Sequence, residues 1–451
     1  MENNIVTFID LFSGLGGIRI GFEQALAKRG LKGKCVFTSE IKSSAIKALN
    51  ENFPGENIKA TDITTIEKQD VPDFKVLLGG FPCQAFSSAG LQKGFADTRG
   101  TLFFDVQRVL SEHLKTVDGF ILENVEGLVT HDRANRSDKT GRTLNTIMHV
   151  LKTELGFNAE FIVLNAADFG VPQYRKRVYI VGCKKKFGKV NLKFKNKLER
   201  PVGDFLETGL PVLNSNFSQK LLSHFTVEEL SGKALKDKRG GKSNIHSWEF
   251  DFKGKISDEE KALLNALLLA RRKRKWAEEI GITWMDGMPL TTEQIRTFFD
   301  RPNLQQMLNG LTNKKYLVYE HPKKQLVHQD SNGNRYTSRV PDTTKEKGYN
   351  IVSGKLSFEI SSFLDKSKPA KTIVAMDMGN IGVIDNDGIR HLTLREGLRL
   401  FGYPDSYSLK SFDNSQRNIR LGYDLIGNSV CVPVIKAIAE RLLDRINPQK
   451  K

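Results

Sequence analysis

Cysteine is scarce in this sequence, and its spacing excludes two kinds of site. The 451 residues include only four cysteines, which occur singly as Cys35, Cys83, Cys183 and Cys431. None of them belongs to a CxxC pair, so neither a zinc site nor a disulfide framework is expected. We therefore predict a protein of a reducing cytoplasm that binds no metal.

The sequence also lacks long hydrophobic runs, and its acidic residues are outnumbered by basic ones. The longest apolar stretch, Ala262–Ala270, is about half the length of a membrane-spanning helix and ends in RRKRK. No apolar segment follows Met1, so we expect neither a secretory signal nor a membrane anchor. Lys and Arg number 69 against 52 Asp and Glu, a net charge of +17. This excess predicts a polyanionic partner, nucleic acid before an anionic membrane.

The first half of the chain alternates strand-like and helix-like segments. The strand-like segments are short, apolar and rich in β-branched residues. This alternation predicts an α/β fold with a doubly wound, mostly parallel sheet. The predicted strands are 5–10, 35–40, 75–81, 119–125, 159–165 and 177–183.

Polar residues stand at or just beyond the ends of several predicted strands. They are Asp10, Glu40, Cys83, Glu123 and Asn165. In a doubly wound sheet, ligands bind beyond the carboxyl ends of the strands, and those ends share one edge. The sequence therefore predicts a single site at this edge.

The turn after the first strand, LFSGLGG, points to a nucleoside ligand. Gly14, Gly16 and Gly17 permit a tight turn, but they do not form the GxGxxG of a dinucleotide site. Glu40 can accept hydrogen bonds from ribose hydroxyls, and Asp62 can accept one from an adenine amino group. Because no pyrophosphate is demanded, S-adenosylmethionine fits this pattern, and an NAD enzyme remains the competing interpretation.

Cys83 occupies an unusual position for a thiol. It follows Pro82 at the end of a predicted strand, within the small-residue loop GGFPCQAFSSAG. A lone cysteine is more often a buried small hydrophobe. In a loop of this composition, however, we expect the thiol to be exposed and suited to covalent attack on a substrate.

Nine short motifs extend this pattern along the chain. They are DLFSGLGG (10–17), SEI (39–41), TDI (61–63), GGFPCQAFS (79–87), KGFADTRGTLFFD (93–105), ENV (123–125), LNAADFGVPQYRKRVYIVG (164–182), RHLTLREGLRLFGYP (390–404) and GNSV (427–430). In these motifs and their order, the chain resembles the cytosine-C5 DNA methyltransferases of the bacterial modification type. The resemblance covers nearly the whole chain outside residues 200–368.

The resemblance implies a set of catalytic residues. Cys83 would add to carbon 6 of cytosine, which makes carbon 5 nucleophilic. Glu123, beside Asn124, would donate to N3 and would need a raised pKa. Arg177 would hold the cytosine O2, and Arg175 either a DNA phosphate or the architecture of the site. The alternatives are a structural salt bridge for Glu123 and a basic surface strand for the arginines.

The resemblance also implies the cofactor and the DNA contacts. The cofactor would be S-adenosylmethionine, with S-adenosylhomocysteine as product. The target base must leave the duplex, and residues 84–100 would form a lid in which Gln84 or Ser87 fills the vacated space. The implied cofactor contacts are Phe12, Ser13, Gly14, Leu15, Gly17, Glu40, Ile41, Asp62, Ile63, Pro82, Leu102, Asn428 and Ser429.

Three segments are expected along the chain. Residues 1–190 would form the catalytic and cofactor-binding domain, and residues 191–400 a smaller target-recognition domain. Residues 401–451 would return to complete the first domain, because GNSV must lie beside GLGG. One departure from the family pattern is Tyr403, where phenylalanine is common.

The middle segment carries weaker signals. Ser257 and Glu260 form a capping box, which opens a predicted helix that runs to about Gly281. SNGN (331–334) and DNDG (385–388) are typical of hairpin turns. The basic run Arg271–Lys275 is either a phosphate contact or a solvated charged face.

Three functions remain open from the sequence. The favoured one is a DNA cytosine-C5 methyltransferase that acts on duplex DNA as a monomer, with a separate cognate restriction endonuclease as a further partner. The second is the same chemistry on a transfer RNA cytosine. The third is a catalytically silent DNA-binding regulator, against which the intact Cys83, Glu123 and Arg177 argue.

Overall fold

The computed structural model divides the chain into two compact units. The larger unit comprises 1–207, 365–379 and 392–451, and the smaller unit comprises 208–364 and 380–391. These bounds assign residues 191–207, 365–379 and 392–400 to the larger unit, whereas the sequence placed them in the middle domain. The residues that the structure describes are 4–82, 102–195, 197–237, 243–329, 335–352 and 358–448.

A six-stranded sheet forms the centre of the larger unit. Its strand order is β2-β1-β3-β4-β6-β5, and every strand except β6 runs in the same direction. The strands are β1 Ile5–Leu11, β2 Lys32–Ser39, β3 Val76–Gly79, β4 Gly119–Val125, β5 Phe157–Asn165 and β6 Lys176–Lys184. The predicted α/β class and all six predicted strands are confirmed.

The direction of β6 matters for function. Because β6 is antiparallel to both β4 and β5, its first residues lie at the edge where the other strands end. Arg177 therefore pairs in register with Val125, at the carboxyl end of β4. The central strand β3 is buried along its whole length, as expected for a sheet covered on both faces.

Helices cover this sheet, and the last one comes from the end of the chain. Gly21 of α1 lets Ile435 of α15 approach so closely that a Cβ on Gly21 would lie 2.7 Å from it. This contact confirms that the C-terminal segment packs onto the first domain. The helices of the larger unit are α1 Gly17–Ala27, α2 Ser43–Asn52, α3 Leu102–Glu112, α4 Gly127–Thr130, α5 Arg142–His149, α12 Ala375–Met378, α13 Leu394–Arg399, α14 Gln416–Gly427 and α15 Val432–Ile446.

One helical stretch of the described chain is long and apolar enough to cross a membrane. It is Gln416–Ile446, with a mean hydropathy of 1.3 in its most apolar window, and 67% of that window is buried inside the protein. A buried core helix meets the same criteria of length and composition. The stretch is therefore weak evidence for a membrane span.

The smaller unit contains two hydrophobic clusters. One is mainly helical and centres on Trp248 and Trp276; the other centres on Phe250 and Phe358. The helices are α6 Asn216–Leu222, α7 Val227–Leu230, α8 Asp258–Ala270, α9 Arg274–Ile280, α10 Thr292–Arg296 and α11 Leu304–Asn313. The strands are β7 Ala234–Leu235, β8 Asn244–Ile245, β9 Leu317–Glu320, β10 Lys323–Gln329, β11 Arg335–Pro341, β12 Gly348–Ile351, β13 Ser362–Phe363, β14 Ile381–Asp385 and β15 Gly388–His391.

The predicted helix of the middle segment is two helices. Its capping box is confirmed, because Ser257 Oγ accepts from the Glu260 amide at 3.2 Å and Glu260 accepts from the Ser257 amide at 2.8 Å. The helix ends at Ala270, and a second helix begins at Arg274. The prediction of one continuous helix to Gly281 was wrong, although Gly281 does end the second helix in the left-handed conformation.

Arg271 lies at the interruption between these two helices and caps the first of them. Its side chain is fully buried and donates to Asn350 Oδ1 at 2.6 Å. A buried guanidinium cannot contact DNA phosphates, so that suggestion is wrong for Arg271. The DNDG turn is confirmed, because Asp385 pairs with Gly388 at the end of the β14–β15 hairpin.

Candidate active site

A mostly buried acid and an arginine form an ion pair at the carboxyl edge of the sheet. Glu123 lies near the end of β4, and its Oε1 is 3.2 Å from Nε of Arg177, on the adjacent β6. Their side chains are only 12% and 16% exposed. The reversed direction of β6 brings the two residues together.

Burial controls the protonation of Glu123. Loss of solvation raises the pKa of this carboxyl above its usual range, while the positive charges of Arg177 and Arg175 oppose the rise. Burial prevails because it destabilises the ionised form more than the two guanidinium groups stabilise it. Glu123 is therefore suited to donate a proton at a higher pH than a solvated glutamate could.

Asn124 fixes the backbone that leads towards residue 83. Its side chain is buried, donates from Nδ2 to the Phe81 carbonyl at 3.2 Å and accepts from the Val125 amide at 2.8 Å. A Cβ placed on Gly80 would lie 3.6 Å from Glu123 Oε2. The end of β3 thus passes directly beside Glu123. Asn124 is a positioning residue here.

Arg175 is held inside the larger unit. It is 3% exposed and donates to three backbone carbonyls, those of Ile373, Gly427 and Ser429, at 2.8, 3.2 and 2.8 Å. Burial lowers its pKa to about 10. Of the two roles predicted for Arg175, these contacts favour architecture. The predicted DNA-phosphate contact is not available to a guanidinium buried in this way.

The glycine turn surrounds an acceptor at the end of β2. The Gly14 amide donates to Glu40 Oε2 at 2.8 Å, while the amides of Ile41 and Lys42 donate to Oε1 at 2.9 and 2.8 Å. Gly14 has φ +54°, and a Cβ placed on it would meet no atom of the described residues within 4 Å. The turn therefore faces open space that a ligand can occupy.

The C-terminal segment lies against the other side of this turn. A Cβ on Gly17 would lie 2.5 Å from the Tyr403 hydroxyl and 3.3 Å from Ser429 Oγ, so only glycine fits. The Tyr403 hydroxyl is hydrogen-bonded to Ser429 Oγ, and the Tyr407 hydroxyl donates to the Leu15 carbonyl at 2.8 Å. GNSV thus lies beside GLGG, as the sequence predicted.

The remaining predicted cofactor residues differ in exposure. Ile41 is 68% exposed and Asp62 is also exposed, with its Oδ1 accepting from Thr64. The side chain of Ile63 belongs to the hydrophobic core, and its carbonyl accepts from Arg108. Phe12 with φ +55°, Ser13, Pro82, Leu102 and the exposed Asn428 lie on the described elements and loops that surround this edge.

This arrangement fits a nucleoside cofactor. Glu40 is oriented by three backbone amides and keeps acceptor capacity, beside the exposed apolar side chain of Ile41. A carboxylate can accept about four hydrogen bonds, so Glu40, which accepts three, can still accept one from a ribose hydroxyl. Cys83, Gln84 and Ser87 lie outside the described residues.

Asp10 was predicted to lie at a strand end, but the sequence alone could not predict that its carboxylate is buried. It is 1% exposed, and neither carboxylate oxygen has a hydrogen-bond partner among the described residues. Burial raises the pKa of Asp10 to about 7, against the opposing charge of Arg19. Tyr407 was missed, and Tyr403 was noted only as a departure from the family pattern, because their spacing alone carries no signal of the hydroxyl contacts.

The raised pKa of Asp10 predicts a pH-dependent stability. A folded-state pKa above the unfolded value stabilises the fold at low pH, and the effect is lost as the pH rises from about 4 to about 7. The free energy of unfolding of Asp10→Asn, relative to that of wild type, should therefore be on the order of 2 kcal/mol more favourable to the folded state at pH 8 than at pH 5. Urea unfolding of both proteins at both pH values measures the difference. If the variant and wild type differed in unfolding free energy by the same amount at both pH values, the prediction would be contradicted.

Comparison with known proteins places this fold and site in a family. A sequence profile described as C-5 cytosine-specific DNA methylase matches residues 6–444. Type II methyltransferase M.NlaIV of Neisseria lactamica is 56% identical over 97% of this chain and 99% of its own length. M.BanI of Aneurinibacillus aneurinilyticus is 39% identical over 97% of this chain and 95% of its own.

Solved structures agree on the fold. The Dnmt2 methyltransferase of S. pombe aligns with a TM-score of 0.50 and 14% identity, over 98% of this chain and 99% of that one. The mostly parallel sheet with one reversed strand is the fold of S-adenosylmethionine-dependent methyltransferases. The chain belongs to the C-5 cytosine-specific DNA methylase family and is a DNA cytosine-5 methyltransferase. Membership implies a methyl donor of the S-adenosylmethionine type.

Proposed function

We propose that the chain methylates carbon 5 of a flipped-out cytosine in a specific duplex DNA sequence, through a covalent adduct of Cys83. The observation that carries this proposal is the buried Glu123–Arg177 pair beside the end of β3. Three residues after Gly80, the chain reaches Cys83. The proposal therefore combines a proton donor, a cationic hydrogen-bond donor and a nucleophile.

In the first step, the Cys83 thiolate adds to carbon 6 of cytosine and a carbon–sulfur bond forms. The electrons of the 5,6 double bond then make carbon 5 nucleophilic, and negative charge develops towards N3 and O2. Glu123 donates its proton at N3, which its raised pKa favours. Arg177 donates to O2 and also holds Glu123 in place.

S-adenosylmethionine, when bound, supplies the electrophilic methyl group. We assign its ribose to Glu40 and its adenine to Asp62 with Ile63, next to Phe12. After methylation, a base removes the proton on carbon 5, the 5,6 double bond forms again, Cys83 leaves as the thiolate, and the proton on N3 returns to Glu123. The described residues do not identify this base, and water suffices for the role.

The relatives named Type II methyltransferases support a place in a restriction–modification system. We propose a monomeric cytoplasmic enzyme that protects DNA against a separately acting cognate endonuclease. The smaller unit would be the target-recognition domain, since its residues lie outside most of the shared motifs.

Transfer of a labelled methyl group tests the proposed substrate. The protein is incubated with labelled S-adenosylmethionine and either unmethylated duplex DNA or unmodified transfer RNA, followed by nucleoside analysis. Label in 5-methyldeoxycytidine supports the proposal. Label in 5-methylcytidine alone would move the substrate to RNA, and label in neither would favour the silent regulator.

Removal of the Asp62 carboxylate should weaken cofactor binding. Asp62 is exposed and its Oδ1 already accepts from Thr64, so its second oxygen is available to an adenine amino group. For Asp62→Ala we expect a Kd for S-adenosylhomocysteine that is about 10-fold higher by calorimetry. The control Asp138→Ala removes another loop carboxylate, one that accepts from the Asn135 amide at 2.9 Å. Equal affinities in both variants would refute the role.

A further inference from the structure

Strands β10 and β11 form a two-stranded ribbon in the smaller unit. They pair in antiparallel register from Lys323 opposite Pro341 to Gln329 opposite Arg335. Among the described residues, neither strand pairs with any other strand. Seven residues per strand give a ribbon of about 23 Å. A two-stranded ribbon is marginally stable by itself in water, so it depends on contacts between its side chains and at its stem.

One face of the ribbon, which carries Lys324 and His328, is stabilised by its own side chains and by contacts at its stem. His328 Nε2 and Ser338 Oγ form a hydrogen bond of 2.6 Å across the strands. Lys324 Nζ lies 3.3 Å from Asp342 Oδ1, and the Asp342 amide donates to the Pro322 carbonyl at 2.7 Å. These contacts fix the orientation of the strands.

The opposite face, called the outer face, has Lys323 paired with Glu320 at 3.7 Å at its stem and carries Gln325, Val327, Thr337 and Arg339 further along. Gln325 lies opposite Arg339 and Val327 opposite Thr337, and all four side chains are exposed. Val327 is 66% exposed, which is unusual for a β-branched apolar residue in a strand. In the described part of the chain, Gln325 and Arg339 make no side-chain hydrogen bond or ion pair. This face therefore presents donors, acceptors and methyl groups to solvent.

The charge of the ribbon suits a polyanion. The two strands, KKQLVHQ and RYTSRVP, contain two lysines and two arginines and no acidic residue. A two-stranded ribbon fits the major groove of B-DNA, where each base pair shows a distinct pattern. Arginine can bind guanine there, glutamine can bind adenine, and the methyl groups of Val327 and Thr337 can contact that of thymine.

We propose that the outer face of the ribbon enters the major groove of the target duplex, where Arg339 and Gln325 read base edges. This assignment rests on the proposed function and adds the residues that choose the sequence. Lys323, at the stem of the same face, then lies towards the phosphates, which position the protein without specifying sequence, whereas Lys324 lies on the opposite face and stays paired with Asp342.

Methylation mapping tests the ribbon. Wild type, Arg339→Ala and Gln325→Ala are expressed in a host without cytosine methylation, and methylated cytosines are mapped across the chromosome by bisulfite sequencing. For each ribbon variant we expect discrimination at one base position of the motif to fall about 10- to 100-fold. The control Arg274→Ala removes the same charge from an exposed helix position of the same unit.

The outcomes separate the two proposals. If wild type methylates no DNA, the proposed function fails. If wild type methylates a motif and both ribbon variants discriminate bases as well as wild type does, only the ribbon assignment fails. A ribbon that binds a protein instead of DNA would give this result. A loss of discrimination in Arg274→Ala as large as in Arg339→Ala would also overturn the assignment. S-adenosylhomocysteine binding and thermal unfolding verify that each variant folds.

Discussion

Methyl transfer is expected to disappear when Cys83 is replaced by alanine. Carbon 5 of cytosine is a poor nucleophile until a thiolate adds to carbon 6, and no other group in the proposed mechanism can make that bond. The rate of Cys83→Ala should therefore fall below detection, at least about 10⁴-fold. Binding of S-adenosylhomocysteine should not change, because Cys83 does not contact the cofactor in this proposal.

The control for this experiment is another thiol of the chain. Cys35 is half-buried, donates to the Phe37 carbonyl at 3.4 Å, and has a pKa that burial raises to about 12. Cys35→Ala should keep nearly full activity, since so basic a thiol supplies no thiolate at neutral pH. Residual turnover by Cys83→Ala comparable to this control would remove Cys83 from the mechanism.

A trapped adduct provides a second readout for Cys83. If the target cytosine carries fluorine at carbon 5, the last step has no proton to remove and the carbon–sulfur bond persists. Wild type should then form an enzyme–DNA complex that resists denaturing electrophoresis. Cys83→Ala should form none. A stable complex with the alanine variant would place the nucleophile elsewhere.

Glu123→Gln is expected to slow methyl transfer by about 10²- to 10⁴-fold, the usual contribution of a positioned acid. Glutamine keeps the shape and a donor N–H, but it has no proton to give to N3. The variant separates proton transfer from simple hydrogen bonding. Glu126→Gln, three residues later and exposed, is the matched control and should retain activity.

The pH profile distinguishes a proton donor from a structural ion pair. Burial raises the pKa of Glu123, so the carboxyl stays protonated to a higher pH than a solvated glutamate, and the rate falls as the pH rises past this pKa. Glu123→Gln should lose that alkaline decline. If the variant kept both its rate and the wild-type profile, Glu123 would serve only as the partner of Arg177.

The sequence was most informative about the sheet and the turn. Apolar runs identified all six strands, and the glycines placed the turn next to Glu40, because these features depend on local pattern. Direction was different. A run such as RVYIVGC shows burial but not orientation, so the reversal of β6 could not be predicted from periodicity. That reversal is what brings Arg177 to Glu123.

Residues with distant partners were the hardest to interpret. Arg175 and Arg271 both looked like candidates for phosphate contact, yet each is buried. Their partners lie far away in the chain, since Arg271 donates to Asn350 and Arg175 to Ser429. A basic motif shows that a charge exists but not which carbonyl or amide oxygen accepts from it.

The glycine turn is covered by residues from the end of the chain, so the cofactor site is complete only after nearly the whole chain has been synthesised. The Tyr407 hydroxyl bonds the Leu15 carbonyl across 392 residues of sequence, and Tyr403 and Ser429 press against Gly17 from the same late segment. At about 5–20 residues per second, a ribosome completes the turn roughly 20–80 s before its cover emerges. We expect nascent and C-terminally truncated chains to bind cofactor poorly. Translation therefore sets a delay between the start of synthesis and the first methylated site.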